Sequence, residues 1–190
     1  MVQPGEQGAT GMKLLRTIRL DASDTFVFER PAEPGEWAVS GAFVFWDRGP
    51  DVLEGRTRSA FRSGFLGVNS LGWSTLAQIV ETSEVERTRL VEALAEQLVA
   101  HFGAPDLAAA KLAAEEEVAF TESLCSEPKD TLIAVHRSLE NGVVREQFRT
   151  LRRREGAEPS RPFSFFEVIG EDETARETID FVSLTERERK

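Results

Sequence analysis

Residues 131–151 read TLIAVHRSLENGVVREQFRTL. Asn141-Gly142 stands here between two runs rich in apolar and β-branched residues. Asn-Gly suits the two left-handed positions of a type I′ turn, the strongest short-range signal for a β-hairpin. A two-residue loop sets the register: Leu139 opposite Val144, Arg137 opposite Glu146, Val135 opposite Phe148 and Ile133 opposite Thr150. Successive strand residues point to opposite sides, so these eight side chains share one face. That face reads as core, interrupted near the turn by an Arg137–Glu146 pair.

The other face carries Ser138 with Arg145, His136 with Gln147, Ala134 with Arg149 and Leu132 with Leu151. His136, Arg145, Gln147 and Arg149 project the same way, an arrangement able to recognise an anion. An antiparallel hairpin with one buried face also shows a polar face to water, and this plainer reading is preferred. The neighbouring arginines disfavour a charged imidazole.

Outward from the hairpin, the pattern alternates between strand and helix signals. Residues 13–20, 25–30, 37–47 and 73–81 read as strands before it, with Gly41 as a bulge in the third; 162–170 and 178–184 read as strands after it. Apolar residues on both faces of 25–30 and 37–47 predict a sheet centre covered on both sides. Between 37–47 and 73–81, residues 56–63 read as a short helix. Ser83 with Glu86 forms a capping box that opens a helix at about 84–102, with an apolar stripe of Val85, Leu90, Val91, Leu94, Leu98 and Phe102. Gly103 is its left-handed cap, and Pro105 forbids continuation. An alanine-rich second helix spans about 106–125, and the short connection makes the two a helical hairpin. The expectation is a single α+β domain over 12–184: a largely antiparallel sheet of about six to eight strands with the helical hairpin packed on it. Residues 1–11 (MVQPGEQGATG) read as a flexible leader, with Met12 as an alternative start, and 185–190 as a solvated tail.

Composition narrows the function. The 190 residues suffice for a real core, and 41% are hydrophobic. No apolar run approaches the roughly 20 residues of a membrane span. A net charge of -10 argues against a nucleic-acid binder, which presents a basic footprint. The single cysteine, Cys125, fits a reducing cytoplasm.

The catalytic inventory is small. His101 sits in the last turn of its helix, where it can cap carbonyls. Cys125 reads as a buried, inert thiol. The two histidines and the cysteine have no metal-ligand spacing, so no metal or cofactor is expected. Glu115, Glu116 and Glu117 read as a solvated helix face. In GRTRSAFRSGFLG, residues 55–67, Arg56, Arg58 and Arg62 form a basic excess, and Gly64 and Gly67 allow close backbone approach of the kind phosphate sites use. An irregular connection with exposed arginines is the preferred reading, because no phosphate-loop motif is present. Arg149 with Arg152, Arg153 and Arg154 reads as a hairpin end entering a loop.

Residues 12–46, beginning MKLLRTIRLDASDTFVFER, and residues 61–76, FRSGFLGVNSLGWSTL, resemble a family of uncharacterised alphaproteobacterial proteins. The resemblance runs from Met12 to near the end and implies no catalytic residue. It suggests the company of redox-enzyme and cofactor-maturation genes. The resulting expectation is a cytoplasmic, non-enzymatic accessory or binding protein serving a larger metabolic or redox enzyme. Its partner would be a protein, with self-association open and neither nucleic acid nor membrane involved. The alternative is a small-molecule or anion-binding enzyme using arginines and carboxylates, which requires Arg56, Arg58 or Arg62 to converge with the His136 face.

Overall fold

The computed structural model describes residues 11–46, 53–140, 143–153 and 166–169. Eight strands form one sheet: β1 (Lys13–Ile18), β2 (Trp37–Val39), β3 (Phe65–Gly67), β4 (Trp73–Ser74), β5 (Leu76–Glu81), β6 (Leu132–Glu140), β7 (Val143–Arg153) and β8 (Phe166–Ile169). Among the described residues four α-helices accompany them: α1 (Ser23–Val27), α2 (Gly55–Ser63), α3 (Glu84–His101) and α4 (Leu107–Ser123). The strand order is β4-β3-β2-β1-β5-β6-β7-β8, with every pairing antiparallel. The fold is α+β. The β6–β7 register pairs Leu139 with Val144, Arg137 with Glu146, Val135 with Phe148 and Ile133 with Thr150, as the two-residue loop requires. Asn141 and Gly142 lie outside the described residues, as does the strand expected at 178–184.

The helical hairpin forms from its local signals. Ser83 Oγ accepts the Glu86 N–H at 3.3 Å while Glu86 Oε2 accepts the Ser83 N–H at 3.1 Å, closing the capping box. Gly103 adopts φ 73°, and the Ala104 N–H returns to the Leu98 carbonyl. Asp106 caps α4 through the Ala109 N–H at 2.8 Å. Leu90, Val91, Leu94, Ala95 and Leu98 of α3 and Ala110, Ala114 and Val118 of α4 pack with Leu14, Val39 and Leu66 of the sheet and with Val68, just after β3. A Leu such as Leu94, fully buried, contributes about 1.5–3 kcal/mol. Val85, expected in the stripe, lies in the first turn and is 60% exposed.

The opposite face of the sheet gathers Leu15, Ala38, Phe65, Ala77, Ile79, Ile133 and Val135, closed by Cys125, Leu124 and Phe148. Phe65 and Phe148 have ring centroids 6.2 Å apart, although β3 and β7 are five places apart in the strand order. A flat sheet at about 4.8 Å per strand would hold them roughly 24 Å apart. The sheet therefore curls, with this second cluster on its concave side. β6 pairs with β5 only through Leu132, Ile133 and Ala134. Beyond that point α2 lies along β6, covering backbone that would otherwise be an open edge.

Three strand expectations are corrected, each for a tertiary reason. Residues 25–30 do not extend; Ser23–Val27 is helical. Buried Asp24 accepts the Thr75 hydroxyl at 2.6 Å and holds the turn against the β4–β5 junction, overriding the β-propensity of Phe26 and Val27. The same junction divides the strand expected at 73–81 into β4 and β5. The long strand expected at 37–47 stops at Val39, and Ala42–Phe45 forms a 3-10 helix. Gly41, between them, has φ 76°; a Cβ there would meet the Leu66 Cβ at 2.5 Å.

Candidate functional site

The Arg137–Glu146 pair, which looked like a blemish on the core face, is a buried polar centre. The Arg137 side chain is fully buried. Its Nε donates to Glu146 Oε1 at 2.7 Å, and its Nη1 to the carbonyls of Phe61 and Gly64 at 3.1 and 2.7 Å. Its Nη2 donates to the Ser40 carbonyl at 2.5 Å and to Ser40 Oγ at 3.1 Å. Five bonds match the five N–H groups of a guanidinium. Arg137 thus ties β6 to the end of α2, the start of β3 and the end of β2, across the concave face. With every donor engaged, it is a clamp with no free N–H for a ligand.

Glu117 corrects the sequence reading of three solvated glutamates. It turns inward and accepts the Gly41 N–H at 2.9 Å, while Glu115 pairs with Arg87 at 2.9 Å. Burial raises the Glu117 carboxyl above its ordinary value, and the Glu146 charge pushes the same way; the Gly41 N–H and Arg137 oppose both. A raised carboxylate destabilises the folded state once it must ionise. The penalty is absent below the ordinary carboxylate pKa of about 4.3 and complete above the raised native value. Glu117→Gln keeps an acceptor for Gly41 and removes that penalty. Its melting temperature should exceed that of the wild type at pH 8, with the gain vanishing toward pH 4. A variant less stable than wild type at pH 8 would refute this account.

The polar hairpin face points to solvent: His136, Arg145, Gln147 and Arg149 are all exposed. Burial, then the charges of Arg62 and Arg149, lower the His136 pKa from its ordinary value. Arg62, exposed at the end of α2, thus joins His136 and Arg149 in one electrostatic neighbourhood. Arg145 instead pairs with Glu140 at 2.7 Å, and Arg58 Nε donates to the Leu53 carbonyl at 3.0 Å. Truncating the exposed His136 to alanine should change stability by less than about 0.5 kcal/mol in urea denaturation. A loss above 1 kcal/mol would place the imidazole in a structural contact.

Arg56 goes elsewhere, to a cavity of about 490 Å³ beside α2. Arg30, Glu29 and Thr57 join it among the polar lining residues, while Phe45, Leu71 and Trp73 supply apolar surface. The Phe45 and Trp73 rings lie 5.1 Å apart at 31°. Arg30 and Arg56 have no carboxylate partner among the described residues. The arginines of the 55–67 stretch therefore split: Arg56 lines this cavity, Arg62 faces His136, and Arg58 is held by backbone. The glycines of that stretch serve packing. A Cβ on Gly64 would stand 2.7 Å from the Trp73 ring, and one on Gly67 would collide with the Glu36 carboxylate.

Glu36, unmarked by any motif, is 7% exposed and accepts the N–H groups of Glu33, Asn69 and Ser70 at 2.7, 2.8 and 2.9 Å, with the Ser70 hydroxyl at 2.5 Å. Cys125 is buried, and burial pushes its thiol up to about 12, so it stays protonated. His101 is exposed at the end of α3, and its imidazole makes no hydrogen bond with the described residues. Among the described residues no group of three His, Cys, Asp or Glu side chains is placed to hold a metal, and no helix is long and apolar enough to cross a membrane.

No curated protein and no solved structure matches the chain. A family model does match, over residues 12–159, which include β1 through β7 and the residues that line the cavity. The chain belongs to that family, DUF6505, a family of unknown function.

Proposed function

We propose that this chain is a non-enzymatic binding protein, accessory to a larger metabolic or redox enzyme, and that the cavity beside α2 is its ligand site. The observation that carries this reading is the cavity itself. Its volume of about 490 Å³ falls in the range of small-molecule sites, as does its mixture of aromatic surface with a few polar groups. The side chains with most chemical potential support binding over catalysis. Arg137 is saturated by five hydrogen bonds, and the Cys125 thiol is held protonated. The lone cysteine also fits a reducing, cytoplasmic setting, and the net charge of -10 fits a soluble protein partner better than nucleic acid. Glu29, which lines the cavity together with Arg30 and Arg56, favours one second reading, an enzyme in which Glu29 serves as base and the arginines hold an anionic substrate.

A thermal-shift screen of a metabolite library tests the site. A ligand binding only the native state raises the melting temperature, by an amount that grows with the logarithm of its concentration above Kd. The expected result is a compound that stabilises the wild type but not Arg56→Ala or Arg30→Ala. Ligands that act equally on all three proteins would move the site elsewhere. Turnover of the hit, lost in Glu29→Gln, would favour the enzyme.

A further inference from the structure

The geometry points to a planar organic monoanion, a flat unsaturated ring system bearing one carboxylate, as the class of molecule this cavity takes. The inference rests on the cavity being the binding site. The half-buried Trp73 offers aromatic surface to the cavity, backed by the buried Phe45 ring, tilted by 31° with its centroid 5.1 Å away. Trp73 is fixed there by close packing: Gly41 and Gly64 both lie so near its ring that a Cβ on either would crowd it. A rigid aromatic wall favours flat partners in offset or edge contact.

The charged groups specify the other end of the ligand. Arg30 and Arg56 line the same cavity, and neither spends its charge on an ion pair with the described residues. By contrast, Arg16, Arg87, Arg137 and Arg145 each pair with a carboxylate. A guanidinium presents a planar fork that matches a carboxylate through two parallel N–H donors. Thr57 adds a hydroxyl. Among the described residues Glu29 is the single acidic lining residue, so two arginines and one glutamate leave these lining residues a net charge of +1 in a protein of net charge -10. One negative charge on the ligand balances that local excess, and a second would meet Glu29.

Three probes divide the possibilities: 2-naphthoate, its neutral isostere 2-naphthamide, and acetate. Binding is followed by NMR at the Trp73 indole N–H, assigned with Trp73→Phe. Naphthoate should bind about tenfold more tightly than naphthamide, the effect of a charge-assisted hydrogen bond, and acetate should leave the resonance unmoved. Arg30→Ala and Arg56→Ala, both at exposed positions, should abolish the preference for the acid, bringing naphthoate down to the affinity of naphthamide. Equal affinity for acid and amide would overturn the anion inference and leave the cavity reading standing. Acetate binding as tightly as naphthoate would overturn the planar part. No shift of Trp73 with any probe would overturn the inference and remove the support for the cavity as a site.

Discussion

Arg137→Ala should cost about 3–5 kcal/mol, the range measured when one partner of a buried ion pair is removed. The loss has several sources. Glu146 keeps its charge without its 2.7 Å partner, and the carbonyls of Phe61, Gly64 and Ser40 lose their guanidinium donors. Each orphaned buried acceptor adds a desolvation cost. Arg137→Lys should rescue little, because an ammonium has three donors without the planar fork that reaches both Glu146 and the three carbonyls. Arg137→Met combined with Glu146→Met should be less destabilised than Arg137→Met alone, since no uncompensated charge then remains. Urea denaturation followed by tryptophan fluorescence measures all four variants. A loss under 1 kcal/mol for Arg137→Ala would mean that the clamp does not close the curled sheet.

Gly41→Ala should cost about 2–5 kcal/mol. An alanine at φ 76° meets the left-handed penalty of roughly 1–2 kcal/mol. The added Cβ would also stand 2.5 Å from the Leu66 Cβ and 3.2 Å from the Trp73 ring, and overpacking a core costs about 1–3 kcal/mol. Neither neighbour yields easily: Leu66 is 1% exposed, and the Trp73 ring already lies against Gly64. The substitution also disturbs the point where Gly41 donates to Glu117 and Ser40 accepts from Arg137. Because Trp73 lines the cavity, ligand affinity should fall along with stability. Thermal denaturation of Gly41→Ala decides the matter; a melting temperature equal to that of the wild type would show that the backbone at Gly41 is free to rearrange.

The legible parts of the chain were those governed by neighbours in sequence. The capping box at Ser83 and Glu86 needs only residues three apart, and the Gly103 cap needs only a residue tolerant of positive φ. The β6–β7 register follows from loop length, because side-chain alternation has a period of two. Even the placement of Arg137 opposite Glu146 on the core face came from that arithmetic. Cys125 and His136 were likewise placed correctly, as a buried thiol and an exposed imidazole.

Contacts between distant residues decided the rest. Residues 25–30 carry a strand-like composition, yet Asp24 reaches Thr75, 51 residues away, and the segment coils. Gly41 looked like a bulge; what ends the strand is its packing against Leu66 and Trp73. Glu117 was grouped with two solvated neighbours because nothing in EEE says which of three adjacent side chains faces Gly41, 76 residues away. The arginines of residues 55–67 read as one basic cluster in sequence, but a helix directs successive side chains about 100° apart. α2 therefore sends Arg56 to the cavity and Arg62 toward His136. Sequence alone determined the elements whose hydrogen bonds and alternation are local. Tertiary structure alone decided the curl of the sheet, the burial of Arg137 and the cavity between Arg30, Arg56 and Trp73, because each depends on side chains brought together across the chain by packing.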